Sequence, residues 1–136
     1  MKDYQFAYGK GSVTVPLDER SVRAVLHGNE ALAMQDIRAG LVESLENPIG
    51  AKPLREEIPA GARVALVVSD MSRFWMRQDL VIPHLVAYLH TACGVPYERL
   101  TIVVANGTHL GGSEQELRTL VTSDVFDRVK VENHDC

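Results

Sequence analysis

Val64-Ala65-Leu66-Val67-Val68 is an unbroken apolar run, and its reading decides the fold. A strand with one wet face alternates apolar and polar residues; a continuous apolar run is expected of a strand buried on both faces of a parallel sheet. The residues downstream supply the elements such a sheet needs. Asp79 is placed to cap a helix running to about Cys93, with Pro83 in its first turn and Gly94 as its stop. Ile82, Leu85, Val86 and Leu89 fall on one stripe of that helix. A second apolar run, Leu100-Thr101-Ile102-Val103-Val104-Ala105, follows. Ser113-Glu114-Gln115-Glu116 is a capping-box pattern, opening a helix with Leu117, Leu120 and Val121 inward. Val129-Lys130-Val131-Glu132 reads as a third strand. Residues 63–136 therefore form a Rossmann-like βαβαβ unit with a parallel sheet and right-handed crossovers.

Residues 1–62 have a different character. Tyr4, Phe6 and Tyr8, then Val13 and Val15, alternate on either side of Gly9-Lys10-Gly11, which predicts a β-hairpin. Val22–Leu26 is a candidate third short strand. From about Glu30 to Glu46, Met34, Ile37, Leu41 and Leu45 share a helical stripe that Asn47-Pro48 ends. Residues 47–62, rich in proline and glycine, read as a crossing loop with a short helix near Leu54–Ile58. The expected class is α/β: an N-terminal β-hairpin region followed by a βαβαβ sheet, one domain over 1–136. The sheet is incomplete at its C-terminal end. Its open edge calls for a downstream domain, a partner chain or a homo-oligomer.

At 136 residues, with 46% hydrophobic and 24% charged, the chain is of globular composition. A net charge of -4, with acidic and basic residues interleaved, speaks against nucleic acid as a partner, because phosphate contacts need a basic face. Cys93 and Cys136 form no Cys-x-x-Cys signature and read as reduced thiols. No stretch has the pattern of a signal peptide or the length of a membrane span. A cytoplasmic protein is expected.

In an open parallel sheet, ligands bind beyond the carboxyl ends of the strands. This picks out Ser69-Asp70-Met71-Ser72-Arg73 and Ala105-Asn106-Gly107-Thr108-His109. Arg73 is either a bidentate anion receptor or a surface arginine paired with Asp70 or Asp79. His109 is a general base, a metal ligand or a solvated loop residue. Asp70 either orients Arg73, binds a ribose hydroxyl or caps a helix or turn. Gly107, Gly111 and Gly112 permit close approach of backbone to a ligand, but no phosphate-loop spacing is present. His84 and His90 lie on different helix faces and read as structural; His27 and His134 lack a local partner pattern. Phe74-Trp75-Met76 reads first as local core packing, then as a pocket wall or an oligomer contact.

At these two loops the chain resembles the nickel-pincer lactate racemase family of 2-hydroxyacid racemases and epimerases. Members carry Ser-Asp-x-Thr-Arg-Pro after one strand and Ala-x-Gly-x-His after the next, followed by an acidic helix start. Here the segments are Ser69-Asp70-Met71-Ser72-Arg73-Phe74 and Ala105-Asn106-Gly107-Thr108-His109, with Glu114-Gln115-Glu116-Leu117 downstream. Leu45-Glu46-Asn47-Pro48-Ile49-Gly50 resembles the family's Asn-Pro-Ile-Gly loop. The resemblance implies a nickel-pincer mononucleotide bound by Asp70, Met71, Ser72 and Arg73, with Arg73 also suited to a substrate carboxylate. It implies that His109 is one of two acid/base histidines acting on a small 2-hydroxy acid. Ser72 in place of threonine keeps the hydroxyl; Phe74 in place of proline puts an aromatic ring near the pocket.

Family enzymes are about three times longer, and the resemblance puts the cofactor lysine, the nickel-binding histidine and the second catalytic histidine downstream. No metal ligand is assigned in this chain. The expectation is an N-terminal fragment or subunit of an isomerase, inactive by itself. The alternative is a non-catalytic nucleotide- or carboxylate-binding module that associates with a partner chain.

Overall fold

The computed structural model describes residues 1–135, so the expectation for the Cys136 thiol lies outside the described residues. The chain packs as two compact units, Met1–Ala33 and a larger one beginning at Met34.

In the first unit, β1 (Lys2–Tyr8) and β2 (Gly11–Leu17) form an antiparallel hairpin that pairs Tyr4 with Val15 and Phe6 with Val13. The chain reverses within two residues because Gly9 takes φ +57. Val22–Leu26 is not a strand. A strand needs a ladder, and neither sheet offers this segment a pairing partner; Val25 and Leu26 lie exposed.

In the second unit, α1 spans Ile37–Glu46, about two turns later than the start expected near Glu30. Asp36 sets the start by accepting a hydrogen bond from the Ala39 N–H at 2.9 Å, which leaves Met34 outside the helix and exposed. After α2 (Leu54–Glu57), the parallel sheet runs β3 (Val64–Ser69), β4 (Leu100–Ala105), β5 (Lys130–Asn133), in that spatial order. The first crossover carries α3 (Ile82–Thr91), and the second carries α4 (Glu114–Val121) and α5 (Ser123–Arg128). α3 starts at Ile82 with Pro83 in its first turn; Asp79 is not its cap, because its carboxylate is paired with Arg77 at 2.9–3.0 Å. Gly94, at φ +67, turns the chain after α3. Tyr88 on α3 donates to Glu46 on α1 at 2.7 Å, and Arg55 on α2 pairs with the same carboxylate.

The core lies between one face of the sheet and these helices: Ile102 and Val104 from β4, Val86 and Leu89 from α3, Leu117, Leu120 and Val121 from α4. β3 is buried on one face only, contrary to its reading as a strand covered on both. Val68 is buried, whereas Val67 is 71% exposed. When strands follow one another in sequential order, right-handed crossovers put every connection on the same side. Both crossovers cover the Val68 face, and the Val67 face receives none. Cys93 is buried and unpaired, and its burial raises the thiol pKa.

Candidate functional site

The sheet register brings the two motif segments together. Ser69 is the parallel partner of Ala105, so Asp70 and Asn106 leave the sheet side by side at its carboxyl end. Val104 is aligned with Asn133 on the other side, so β5 ends at the same level.

Asp70 opens a 3-10 turn over Met71–Met76, its carbonyl accepting from Arg73 N–H at 3.0 Å. Its carboxylate does not cap that turn. Instead Oδ1 accepts from the Ser72 hydroxyl at 2.6 Å, and Oδ2 lies 2.6 Å from Nδ1 of His109. The Ser72 hydroxyl first, and His109 second, hold the Asp70 carboxyl below its ordinary range. Asp70 is thus the ionised partner that puts the proton of a neutral His109 on Nδ1 and leaves Nε2 as the basic nitrogen. The Asp70 side chain is 13% exposed and that of His109 60%, so the imidazole is open to a reacting molecule while the carboxylate is sheltered.

Arg73 has neither of the carboxylate partners considered for it. Asp70 is taken by Ser72 and His109, and Asp79 by Arg77. Among the described residues its exposed guanidinium has no counter-ion. It lines a cleft of about 310 Å³ with Ser69, Asp70, Ser72, Asn106 and His109. Met71 sits apart from this cleft: it packs against the core and lines a second hollow with Asn106 and Leu117. Phe74 also packs on the core, while Trp75 and Met76 are exposed, so the packing expected of that triplet holds for its first residue.

The loop bearing His109 is held at both ends. Gly107 takes φ +58, and His109 N–H donates to the Asn106 carbonyl at 3.0 Å, which closes a turn. At the far end the capping box forms as expected: Ser113 N–H donates to the Glu116 carboxylate at 2.8 Å and the Ser113 hydroxyl accepts from Glu116 N–H at 3.4 Å. Three amide side chains have roles that the sequence reading did not assign. Gln78 pairs with both the N–H and the carbonyl of Ser69, at 3.0 and 3.2 Å, as a neighbouring strand would. Asn106 is 2% exposed and donates to Asn133 Oδ1 and the His134 carbonyl. Asn133 in turn pairs with both backbone groups of Gly112. No spacing rule could have found them, because their partners lie 9 to 28 residues away.

The other histidines stay out of the cleft. His90 stacks on Tyr97 with ring centroids 4.0 Å apart and its Nδ1 meets the Val95 carbonyl, a structural role. His84 lines a groove between α1 and α3. Among the described residues no three His, Cys, Asp or Glu side chains gather as a metal cage, and no helix is long and apolar enough to cross a membrane.

Residues 8–136 match the family described as the lactate racemase N-terminal domain. The fold is similar to that of the lactate racemase apoprotein from Thermoanaerobacterium thermosaccharolyticum, with a TM-score of 0.79 at 21% sequence identity. The match covers 98% of this chain and 30% of that one. No curated protein matches this sequence.

Proposed function

Since the chain belongs to the lactate racemase N-terminal domain family, we propose that it supplies one half of the active site of a 2-hydroxyacid racemase or epimerase. The observation that carries this reading is the Asp70–His109 pair beside Arg73, which has no counter-ion among the described residues, in one cleft at the carboxyl ends of β3 and β4.

The residues fit one part of a nickel-pincer nucleotide and not the other. Arg73, without a counter-ion among the described residues, suits a phosphate or carboxylate, and Ser72 beside it offers a hydroxyl. Among the described residues no three His, Cys, Asp or Glu side chains gather, so no nickel ligand is assigned to them. When bound, such a cofactor supplies reversible hydride uptake at the carbon that carries the hydroxyl. Asp70, Ser72 and Arg73, which line the cleft, would border it. His109 serves one enantiomer: Nε2 takes its hydroxyl proton as hydride leaves and supplies that proton when the same enantiomer is the product. Asp70 keeps the imidazole in the required tautomer and stabilises its protonated form, as a carboxylate does behind a catalytic histidine. A small 2-hydroxy acid presents its carboxylate to Arg73. The interleaved acidic surface and the reduced Cys93 suit a cytoplasmic setting.

The test adds a polypeptide with the remaining elements of a lactate racemase, loaded with cofactor, and follows interconversion of D- and L-lactate. Activity is expected in the mixture and not with this chain alone, and His109→Ala should abolish it. Turnover by the isolated chain, or undiminished turnover with His109→Ala, overturns the proposal. The second reading, a carboxylate- or nucleotide-binding module, draws on the same Arg73. It predicts ligand binding that Arg73→Ala weakens and His109→Ala leaves unchanged, with no turnover in the mixture.

A further inference from the structure

The loop from Gly107 to Gly111 carries His109 with no apolar anchor. Gly107, Thr108, His109, Leu110 and Gly111 are all exposed, Leu110 at 96%. Hydrophobic burial therefore does not place it, and its position depends on polar ties. A single side chain makes three of them. Asn133 Oδ1 accepts from Asn106 Nδ2 at 3.2 Å, just before the loop, and from Gly112 N–H at 3.0 Å, just after it. Its Nδ2 donates to the Gly112 carbonyl at 2.9 Å. One amide at the end of β5 thus closes both ends of the loop onto the sheet. The fit is tight: a methyl group on Gly111 would meet the Asn133 side chain at 3.0–3.2 Å.

We propose that Asn133 is the positioning residue of the site, clasping the 107–111 loop so that His109 reaches Asp70. Gln78 is its counterpart across the cleft, holding Ser69 at the end of β3 by the same two-bond amide pairing. The cleft is thereby framed by two carboxamides anchored on the scaffold, with its reactive groups on the segments between. A carboxamide suits the task because it offers a donor and an acceptor at fixed spacing and carries no charge to compete for Asp70 or His109. The inference rests on the geometry of the Asp70–His109 pair and not on the reaction assigned to it, so failure of racemisation in the mixing experiment leaves it standing.

The test follows the His109 ring nitrogens of the 136-residue chain by nitrogen NMR. In the wild type, Asp70→Asn should shift the Nδ1 signal, because that nitrogen loses its carboxylate partner. In an Asn133→Ala background the same change should produce less than half that shift, with amide exchange at Gly112 at least 10-fold faster and the β3–β4 amide pattern retained. A merely structural loss lowers the melting temperature and leaves the coupling intact. Gly111→Ala disturbs the clasp from its other side without altering Asn133, and it carries the test should Asn133→Ala not fold. The same loss of coupling is expected of it. A folded variant of either kind in which Asp70→Asn still moves Nδ1 by the full wild-type amount overturns the proposal.

Discussion

His109 Nδ1 stands 2.6 Å from Asp70 Oδ2, joining residues 39 apart in sequence. The bond exists because β3 and β4 are parallel and in register, so the segments after Ser69 and Ala105 emerge together. It also leaves the carboxylate sheltered, at 13% exposed, and the imidazole open, at 60%.

The first expected outcome concerns acid stability. The folded state holds the Asp70 carboxyl below its unfolded value, so the stabilisation it gives is complete above about pH 4 and is lost as pH falls through the folded value. Asp70→Asn removes that dependence. Melting temperatures measured from about pH 6 down to about pH 2.5 should fall less steeply for the variant. Parallel curves for the two proteins would count against the pairing.

Anion recognition should rest on Arg73. Arg73→Ala is expected to weaken binding of nicotinate mononucleotide by about 10-fold or more, equivalent to about 1.4 kcal/mol, in calorimetric titrations. Arg73→Lys should restore only part of it, since an ammonium lacks the planar fork. Equal affinity in all three proteins would remove Arg73 from the site.

Helix α4 depends on its cap. Ser113→Ala removes one half of the capping box and should cost about 1 kcal/mol in urea unfolding. Thr122, between α4 and α5, takes φ +73 and ψ 149, a region that favours glycine. Thr122→Gly is therefore expected to stabilise by on the order of 1 kcal/mol, against the usual direction for a glycine substitution.

One-sided burial of the sheet makes a paired prediction. Leu120, fully buried, should cost about 2–5 kcal/mol when changed to Ala. Val67→Thr, on the open face, should stay within about 0.5 kcal/mol of the wild type. A large loss at Val67 would mean that its face is covered in solution.

Elements with a local cause were legible from the residues. The hairpin follows from alternation around Gly9, the capping box from Ser113 and Glu116, and β3 and β4 from their apolar runs. The start of α1 was misplaced because the apolar stripe extends past the cap; Asp36 overrules Met34. Val22–Leu26 has strand-like residues but no edge to pair with. Asp79 looked like a cap until its proximity to Arg77 gave its carboxylate another partner.

By itself, the sequence determined that a βαβαβ unit would form and that the segments after Ser69 and Ala105 would lie at its carboxyl end, because periodicity and caps act over a few residues. The tertiary structure decided the rest. It chose which sheet face is buried, gave Asp70 to His109 rather than to Arg73, and tied Asn133 to Gly112. Those relations join residues brought side by side only by strand register, and register is a property of the assembled sheet.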